Sequence, residues 1–161
     1  MSATAVAESF RAVLGHFCSG VVIVTACDAA GTPTGMTVGS FTSISLEPPL
    51  VGFYAAHTSS TLPGILAAER FCANVLAAEQ HELARAFAAR GADRFAGVDW
   101  APGPNGAPRL TGAHAWIDCR VAERRAIGDH DLVVGAVEAL AAPGGSEPLV
   151  FHRARFHGLR G

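Results

Sequence analysis

The feature that most constrains the fold is a series of short apolar segments, rich in β-branched residues, that do not alternate regularly with helices. Extended segments are predicted at Val21–Cys27, Thr34–Ser45, Leu50–Ala55, Phe71–Leu76, His114–Arg125, Leu132–Ala141, Leu149–His152 and Arg155–His157. Helices are predicted at Ala5–Phe17, Ser59–Glu69 and Glu79–Ala89. Because a parallel sheet would need a helix between successive strands, this order predicts a mostly β fold, a largely antiparallel barrel with peripheral helices.

The length and composition predict one domain, residues 1–161. At this size about 70% of the unfolded surface can be buried. Half of the residues are hydrophobic and 16% are charged, a large apolar supply for one small domain, which points to a further buried surface such as a homodimer interface. Residues 91–111 are rich in Gly, Pro and Asn, so a long ordered loop is predicted there.

The sequence predicts a cytoplasmic protein without a membrane segment. Met1–Phe10 lacks the basic start of a signal peptide, and no apolar run approaches the ~20 residues that a membrane helix needs. The cysteines lie in apolar surroundings without a C-x-x-C pair, which predicts buried free thiols in a reducing compartment; they are Cys18, Cys27, Cys72 and Cys119.

The charge pattern excludes several classes of function. The formal net charge is −2 and no basic run is present, so nucleic acid is not an expected partner. All 12 residues of the Lys and Arg total are arginines. A P-loop lysine and a pyridoxal Schiff base are therefore excluded, and a phosphate would have to be held by arginine, hydroxyls or backbone N–H groups.

Common catalytic signatures are missing as well. The segment from His81 to Arg85 begins like a zinc-protease helix, but arginine stands where the second histidine ligand would be. No G-x-S-x-G elbow occurs, and no G-x-G-x-x-G follows a predicted strand. The sequence predicts neither a metal site nor a hydrolytic triad.

The segment Gly35–Ser45 carries an unusual number of Gly, Ser and Thr residues for a strand. These residues weaken a strand, so the segment is either an edge strand whose hydroxyls face water or a strand whose backbone closely approaches a flat ligand.

Three further groups of polar residues allow two readings each. The segment His57–Thr61 is either a helix cap or a phosphate site. Gly128-Asp129-His130 is either simply a tight turn or a turn that positions the His130 imidazole as a pH-sensitive hydrogen-bond donor. Three arginines lie in or just after the predicted helix Glu79–Ala89. They are more typical of a solvated face, although a nucleotide phosphate could use them; they are Arg85, Arg90 and Arg94.

Taken in order, these segments resemble the flavin reductase-like family, from about Phe10 to His157. The resemblance includes Phe10-Arg11, Ser19–Ala26, Gly35–Val38, Ser40–Leu46, Pro48–Val51, Phe71–Leu76 around Asn74, Phe87-Ala88, Arg94–Val98 with Trp100, Gly106, Pro108, Leu110, Cys119, and Gly128–His130 followed by Gly135 and Val137. Each motif is weak alone, whereas their order and spacing are specific. The family consists of short-chain reductases that supply reduced flavin to two-component monooxygenases.

The resemblance implies a homodimeric split β-barrel that binds FMN or FAD, with FMN slightly favoured, near the dimer interface. It places the flavin ring along Thr37, Val38, Gly39 and Ser40, and it makes four hydroxyls candidates for the ribityl and phosphate end: Ser43, Ser59, Ser60 and Thr61. It associates His130, with Asp129, with the nicotinamide of NADH or NADPH. Gly39 departs from the small polar residue that relatives often carry, which implies looser flavin binding or binding through the backbone alone.

Physical chemistry agrees with this implication. Backbone N–H groups on a Gly-rich strand can stabilise a reduced flavin, and hydride transfer needs proximity of about 3–3.5 Å rather than a catalytic acid. No catalytic side chain is therefore expected. Two alternatives stay open: a flavin-binding or storage module without turnover, and a related split-barrel oxidase with another planar ligand.

Overall fold

A computed structural model of the chain describes residues 2–91 and 93–160. The helices are α1 (Ala3–Leu14), α2 (Leu62–Ala68) and α3 (His81–Ala88), and a 3-10 turn at Ala78–Gln80 leads into α3. The strands are β1 (Ser19–Gly20), β2 (Val22–Cys27), β3 (Pro33–Val38), β4 (Thr42–Leu46), β5 (Pro49–Ala56), β6 (Arg70–Val75), β7 (Trp100–Pro102), β8 (Pro108–Leu110), β9 (Ala115–Ile127), β10 (His130–Ala141), β11 (Val150–His152) and β12 (Arg155–His157).

Seven strands form one antiparallel sheet in the order β3-β2-β6-β9-β10-β5-β4, which confirms the mostly β fold. The two ends of this sheet approach each other beyond β3, where the Ser40 hydroxyl accepts from the Tyr54 backbone N–H at 2.9 Å and donates to its carbonyl at 3.1 Å. No strand ladder joins these ends in the described residues, so the barrel is open. Two small sheets, β1-β11-β12 and β7-β8, flank it.

The sheet buries apolar side chains on both of its faces. One cluster packs beneath α2 and includes Phe53 and Phe71, whose rings meet edge to face with centroids 5.5 Å apart. The other lies under α3, around Ile23 and Phe87. Gly135 is required for the first cluster, because a Cβ at this position would lie 2.5 Å from the Phe71 ring.

The Gly/Ser/Thr-rich segment was predicted as one strand, and this is wrong in detail. The chain leaves the sheet after Val38 and re-enters as β4 at Thr42, so β3 and β4 stand at opposite edges of the sheet. Ser40, in between, makes the link to Tyr54 rather than a ladder bond. The predicted loop at 91–111 is also corrected, because its second half folds into the β7–β8 hairpin.

Two smaller expectations also fail. Helix α1 ends at Leu14 rather than at Phe17, since Gly15 supplies its C-cap. Of the four cysteines, Cys72 and Cys119 are buried, whereas Cys18 is exposed and Cys27 is half-buried. Burial raises the pKa of the Cys119 thiol to about 12 and raises that of Cys72 further, so both are inert. In the described residues no helix is long and apolar enough to cross a membrane.

A buried polar network fastens the β7–β8 hairpin to the large sheet. The Asn74 amide nitrogen donates to the Ile23 carbonyl and to the Thr25 hydroxyl, each at 3.0 Å, and its oxygen accepts from the Leu110 N–H at 2.7 Å. Thr25 donates in turn to the Pro108 carbonyl at 2.5 Å. Every side chain of this network is satisfied within the protein, so it serves the fold.

Candidate functional site

A cavity of about 510 Å³ opens where the end of β3, the end of β5 and the C-terminus of α3 meet. It is lined by Met36, Thr37, Val38, Gly39, Ser40, Tyr54, Ala55, Ala56, Thr58, Ser59, Ser60, Phe87, Ala88, Arg90, Arg94 and His130. We call it the main cavity. Its volume lies within the ~300–1,000 Å³ range of small-molecule sites.

The β3 wall of the main cavity is an edge strand. Among the described residues β3 pairs with β2 alone, so the backbone groups along its other edge have no strand partner there. The side chains on this wall are already engaged: the Thr37 hydroxyl donates to the Ala84 carbonyl at 2.7 Å, and the Ser40 hydroxyl bonds to Tyr54 in both directions. A ligand at this wall would therefore meet the backbone more than the hydroxyl groups.

The opposite wall is the segment that joins β5 to α2. The Ser59 hydroxyl accepts from the backbone N–H groups of Thr61 at 3.3 Å and of Leu62 at 3.2 Å, so it supports the turn into α2, whose N-cap residue is Thr61. Thr58 and Ser60 also line the main cavity. One hydroxyl of this segment therefore supports the start of α2, and the neighbouring residues line the cavity, while the phosphate site stays a prediction.

A smaller cavity of about 330 Å³ adjoins the main cavity and shares Ser60 and Arg94 with it. It is lined by Pro33, Thr34, Gly35, Ser60, Thr61, Gly91, Asp93, Arg94 and Phe95. Arg94 is half-buried and is held by the Gly35 carbonyl and the Thr61 hydroxyl, both at 2.7 Å from Nη1.

His130 stands at the start of β10, opposite Ala56 of β5, with its side chain 44% exposed. Its Nδ1 lies 2.7 Å from a carboxylate oxygen of Asp129. This hydrogen bond holds the pKa of the exposed Asp129 carboxyl below its usual value. Gly128 precedes the pair with φ of +60°, which a hairpin turn of this kind requires.

A charged group lies directly behind this wall. The buried carboxylate of Asp131 accepts from Arg124 Nε at 3.0 Å and lies 3.2 Å from His57 Nε2. The Arg124 guanidinium, with a smaller contribution from His57, holds the pKa of Asp131 below its usual range. Because the His57 N–H also donates to the Asp129 carbonyl at 2.9 Å, the segment after β5 is tied to the strand that carries His130.

The structure brings most of the residues singled out in the sequence to the main cavity. Those that line it are Thr37, Val38, Gly39, Ser40, Ser59, Ser60 and His130. Thr61 lies in the smaller cavity instead, Asp129 touches the site through His130, and Ser43 is an exposed residue of β4 outside both cavities.

Sequence reasoning missed Tyr54 and Phe87 as cavity residues. For Arg90 and Arg94 it favoured a solvated face over a nucleotide phosphate, whereas both line the main cavity. Arg94 enters the site through contacts with Gly35 and Thr61, 59 and 33 positions away along the chain. The one signal that was available is the absence of lysine, which leaves arginine as the cation for any phosphate.

The chemistry of the main cavity suits a flat anionic ligand. Its described lining contains two arginines and one histidine but neither a carboxylate nor a thiol. An open strand edge on one side and hydroxyls with arginines on the other match a ring system with hydrogen-bonding edges and a phosphate tail. The residues present therefore fit a flavin nucleotide, and they define a cofactor-binding antiparallel β protein.

Comparison with known proteins gives the family. Residues 14–160 match the model of the flavin reductase like domain. The chain is 42% identical to a flavin reductase of Pseudomonas putida over 150 residues, covering 93% of this chain and 88% of the relative. It is 43% identical over 150 residues to the reductase subunit HsaB of a flavin-dependent monooxygenase of Rhodococcus jostii, covering 93% and 76%.

A solved structure agrees over nearly the whole chain. The nitrilotriacetate monooxygenase component B homologue of Mycobacterium thermoresistibile superposes with a TM-score of 0.93 at 38% identity, covering 99% of this chain and 89% of that one. The chain belongs to the flavin reductase-like family.

Proposed function

We propose that this chain is an NAD(P)H-dependent flavin reductase that reduces FMN or FAD and supplies the reduced flavin to a separate monooxygenase. The observation that carries the proposal is the main cavity, which joins the open edge of β3 to the wall that holds His130. Family membership supports it, since the matching relatives bear the names of flavin reductases and monooxygenase reductase subunits.

The residues divide the work of binding between two walls. The backbone of Thr37, Val38, Gly39 and Ser40 meets the polar edge of the ring, and Ser59, Ser60 and Thr61 serve the ribityl and phosphate end. Ser43 stays a candidate for the ribityl and phosphate end, although it lies on β4 outside both cavities. His130, oriented by Asp129, binds the nicotinamide.

The protein's part in the reaction is positioning and exclusion of water. A bound flavin supplies the two-electron acceptor. Hydride transfer requires the nicotinamide C4 and the acceptor atom to be held about 3–3.5 Å apart, and no proton has to be moved by a side chain in that step. This agrees with a main-cavity lining that holds no carboxylate and no thiol among the described residues.

The reduced flavin then leaves to act elsewhere. In the part of the chain that the structure describes, no group of three or more His, Cys, Asp or Glu residues is placed to hold a metal ion. The electrons pass to oxygen within the site or depart with the flavin, and exchangeable binding through backbone groups and hydroxyls favours departure.

Two further elements belong to the proposal. The chain acts as one domain over residues 1–161, and it forms a homodimer. One face of α1 and the turn after it expose large apolar side chains, among them Phe10 at 60% and Phe17 at 77%. A surface of this kind is typical of an interface. The cytoplasmic location stays a prediction, which cell fractionation tests.

The dimer is tested by sedimentation of the wild type and of Phe17→Glu. A second copy covering α1 predicts a dimer that the variant dissociates to monomers, with Leu159→Glu, another exposed apolar position, as the matched control. A wild-type monomer at micromolar concentration contradicts the dimer.

Steady-state kinetics test the proposed reaction. NADH oxidation should saturate with added free flavin, and a flavin-dependent oxygenase should be supported across a dialysis membrane at low oxygen. Bound flavin that stays with the protein through gel filtration, with a rate indifferent to added flavin, would mean a self-contained oxidase. Flavin binding without any NADH oxidation would mean a storage module.

A further inference from the structure

Arg94 lies at the boundary between the main cavity and the smaller cavity. Arg94 and Ser60 line both the main cavity and the smaller cavity, so the two spaces adjoin at these residues. A ligand lying along β3 therefore passes the Arg94 guanidinium before it enters the smaller cavity.

Arg94 is held by neutral acceptors only. Its Nε and Nη2 donate to the Ala89 carbonyl at 3.0 and 2.7 Å, and its Nη1 donates to the Gly35 carbonyl and to the Thr61 hydroxyl. No carboxylate of the described residues lies within 4.0 Å of it, in contrast to Arg109, which pairs with the buried Asp118. The guanidinium is thus fixed in place with its charge uncompensated and one of its five N–H groups left.

The residues around Arg94 complete an anion site. The Thr61 hydroxyl accepts from Arg94, so its own hydrogen is free to donate to a ligand oxygen. Ser60 adds a second hydroxyl at the junction. A fixed guanidinium flanked by hydroxyl donors is the combination that binds phosphate in a chain without lysine.

The smaller cavity is larger than a phosphate needs. Its volume of about 330 Å³ is comparable with a small ligand site. Asp93 also lines it, and its carboxylate would repel a phosphate but can accept from amino and hydroxyl groups. The junction therefore suits phosphate, and the space beyond it suits a nucleoside.

We propose that Arg94 and Ser60 bind the phosphates of the flavin at this junction and that the smaller cavity receives the adenosine end of FAD, so that the protein prefers FAD to FMN and both to riboflavin. The proposal rests on the proposed flavin reductase function. The proposed preference for FAD differs from the slight preference for FMN in the sequence analysis. The sequence alone could not show the smaller cavity, because residues distant in sequence form it.

The test measures binding of riboflavin, FMN and FAD without nicotinamide, by quenching of flavin fluorescence. In the wild type FAD should bind most tightly and riboflavin least. Arg94→Gln should weaken FMN and FAD binding about tenfold or more and riboflavin less than twofold. Arg85→Gln is the matched control, since Arg85 is exposed on α3, pairs with Glu82 and should change none of the three.

A second variant tests the smaller cavity. Thr34→Trp fills it from the edge of β3 and should weaken FAD about tenfold while leaving FMN unchanged, with Thr34→Val as the control of similar size. If instead Thr34→Trp raises the KM for NADH and leaves FAD binding intact, the cavity holds the adenosine of the nicotinamide nucleotide and the proposal is overturned.

The remaining outcomes are also decisive. Equal weakening of riboflavin, FMN and FAD by Arg94→Gln would make Arg94 a structural residue and overturn the proposal, as would tighter binding of FMN than FAD by the wild type. If Arg94→Gln does not fold, inorganic pyrophosphate is titrated into the wild type. Competition with FAD and FMN but not with riboflavin supports the proposal, and no competition overturns it. A wild type that binds these flavins yet oxidises no NADH refutes the proposed function while leaving this site in place.

Discussion

Two polar regions of this molecule use similar residues in opposite ways. In the network around Asn74 and Thr25, each amide and hydroxyl group finds its partner inside the protein. In the main cavity the backbone edge of β3, Ser60 and the Arg94 charge have partners only in part. The difference shows that burial with full satisfaction marks a structural polar group, whereas a fixed donor beside an open space marks a site.

The largest effect is expected inside the network. Asn74→Leu removes the acceptor of the Leu110 N–H and the donor to Ile23 and Thr25, and it should lower the free energy of unfolding by about 3 kcal/mol, since buried groups lose their partners. Chemical denaturation measures it. Thr42→Val, at an exposed position, is the control and should shift stability by less than about 0.5 kcal/mol. A similar loss in both would break the distinction between the regions.

Asp131, which backs the cavity wall, gives the second effect through pH. Its pKa is lowered in the folded protein, so its stabilising contribution is present above the ordinary aspartate pKa of about 4 and is lost as pH falls through the folded value. Asp131→Asn should lower the Tm at pH 7, and the difference from the wild type should shrink below about pH 4. A difference that does not depend on pH would refute an ionic role.

The third effect concerns the β3 wall. A Cβ at Gly39 would lie 3.2 Å from the Ser19 hydroxyl, so Gly39→Val must push the end of β3 and crowd the backbone edge that meets the ligand. FMN affinity should fall about tenfold, as a titration on the folded variant would measure. Gly20→Val is the matched control, because a Cβ at Gly20 meets no atom within 4 Å. Unchanged affinity would remove β3 from the site.

The smallest effect is expected at His130. His130→Ala should raise the KM for NADH about fivefold while flavin affinity stays constant, as for the loss of uniform substrate binding. His152→Ala, in β11, serves as the control. If flavin affinity collapses and the KM for NADH does not move, His130 belongs to the flavin wall instead.

The sequence predicted the elements whose pattern is local. β2, β6 and β10 lie within two residues of their predicted bounds, because each contains a short run of buried, mostly apolar residues. The break at Gly39–Phe41 escaped prediction, since it depends on the contact of Ser40 with Tyr54 across the sheet.

The site was predictable to a similar degree. The family resemblance singled out Gly39, Ser59 and His130, and all three line the main cavity. The sequence could not distinguish Arg94 from Arg85 and Arg90 as a site residue, because its position depends on acceptors far away along the chain. Arg85 instead pairs with the nearby carboxylate of Glu82.

The central claim is that this chain brings a nicotinamide and a flavin together for hydride transfer. The direct measurement mixes the protein with NADH and free FAD or FMN without oxygen and follows both absorbance bands. We expect one flavin to be bleached for each NADH oxidised, with a slower rate for NADH that carries deuterium at C4. Oxidation of NADH without bleaching of flavin, or no oxidation with either flavin, would contradict the account.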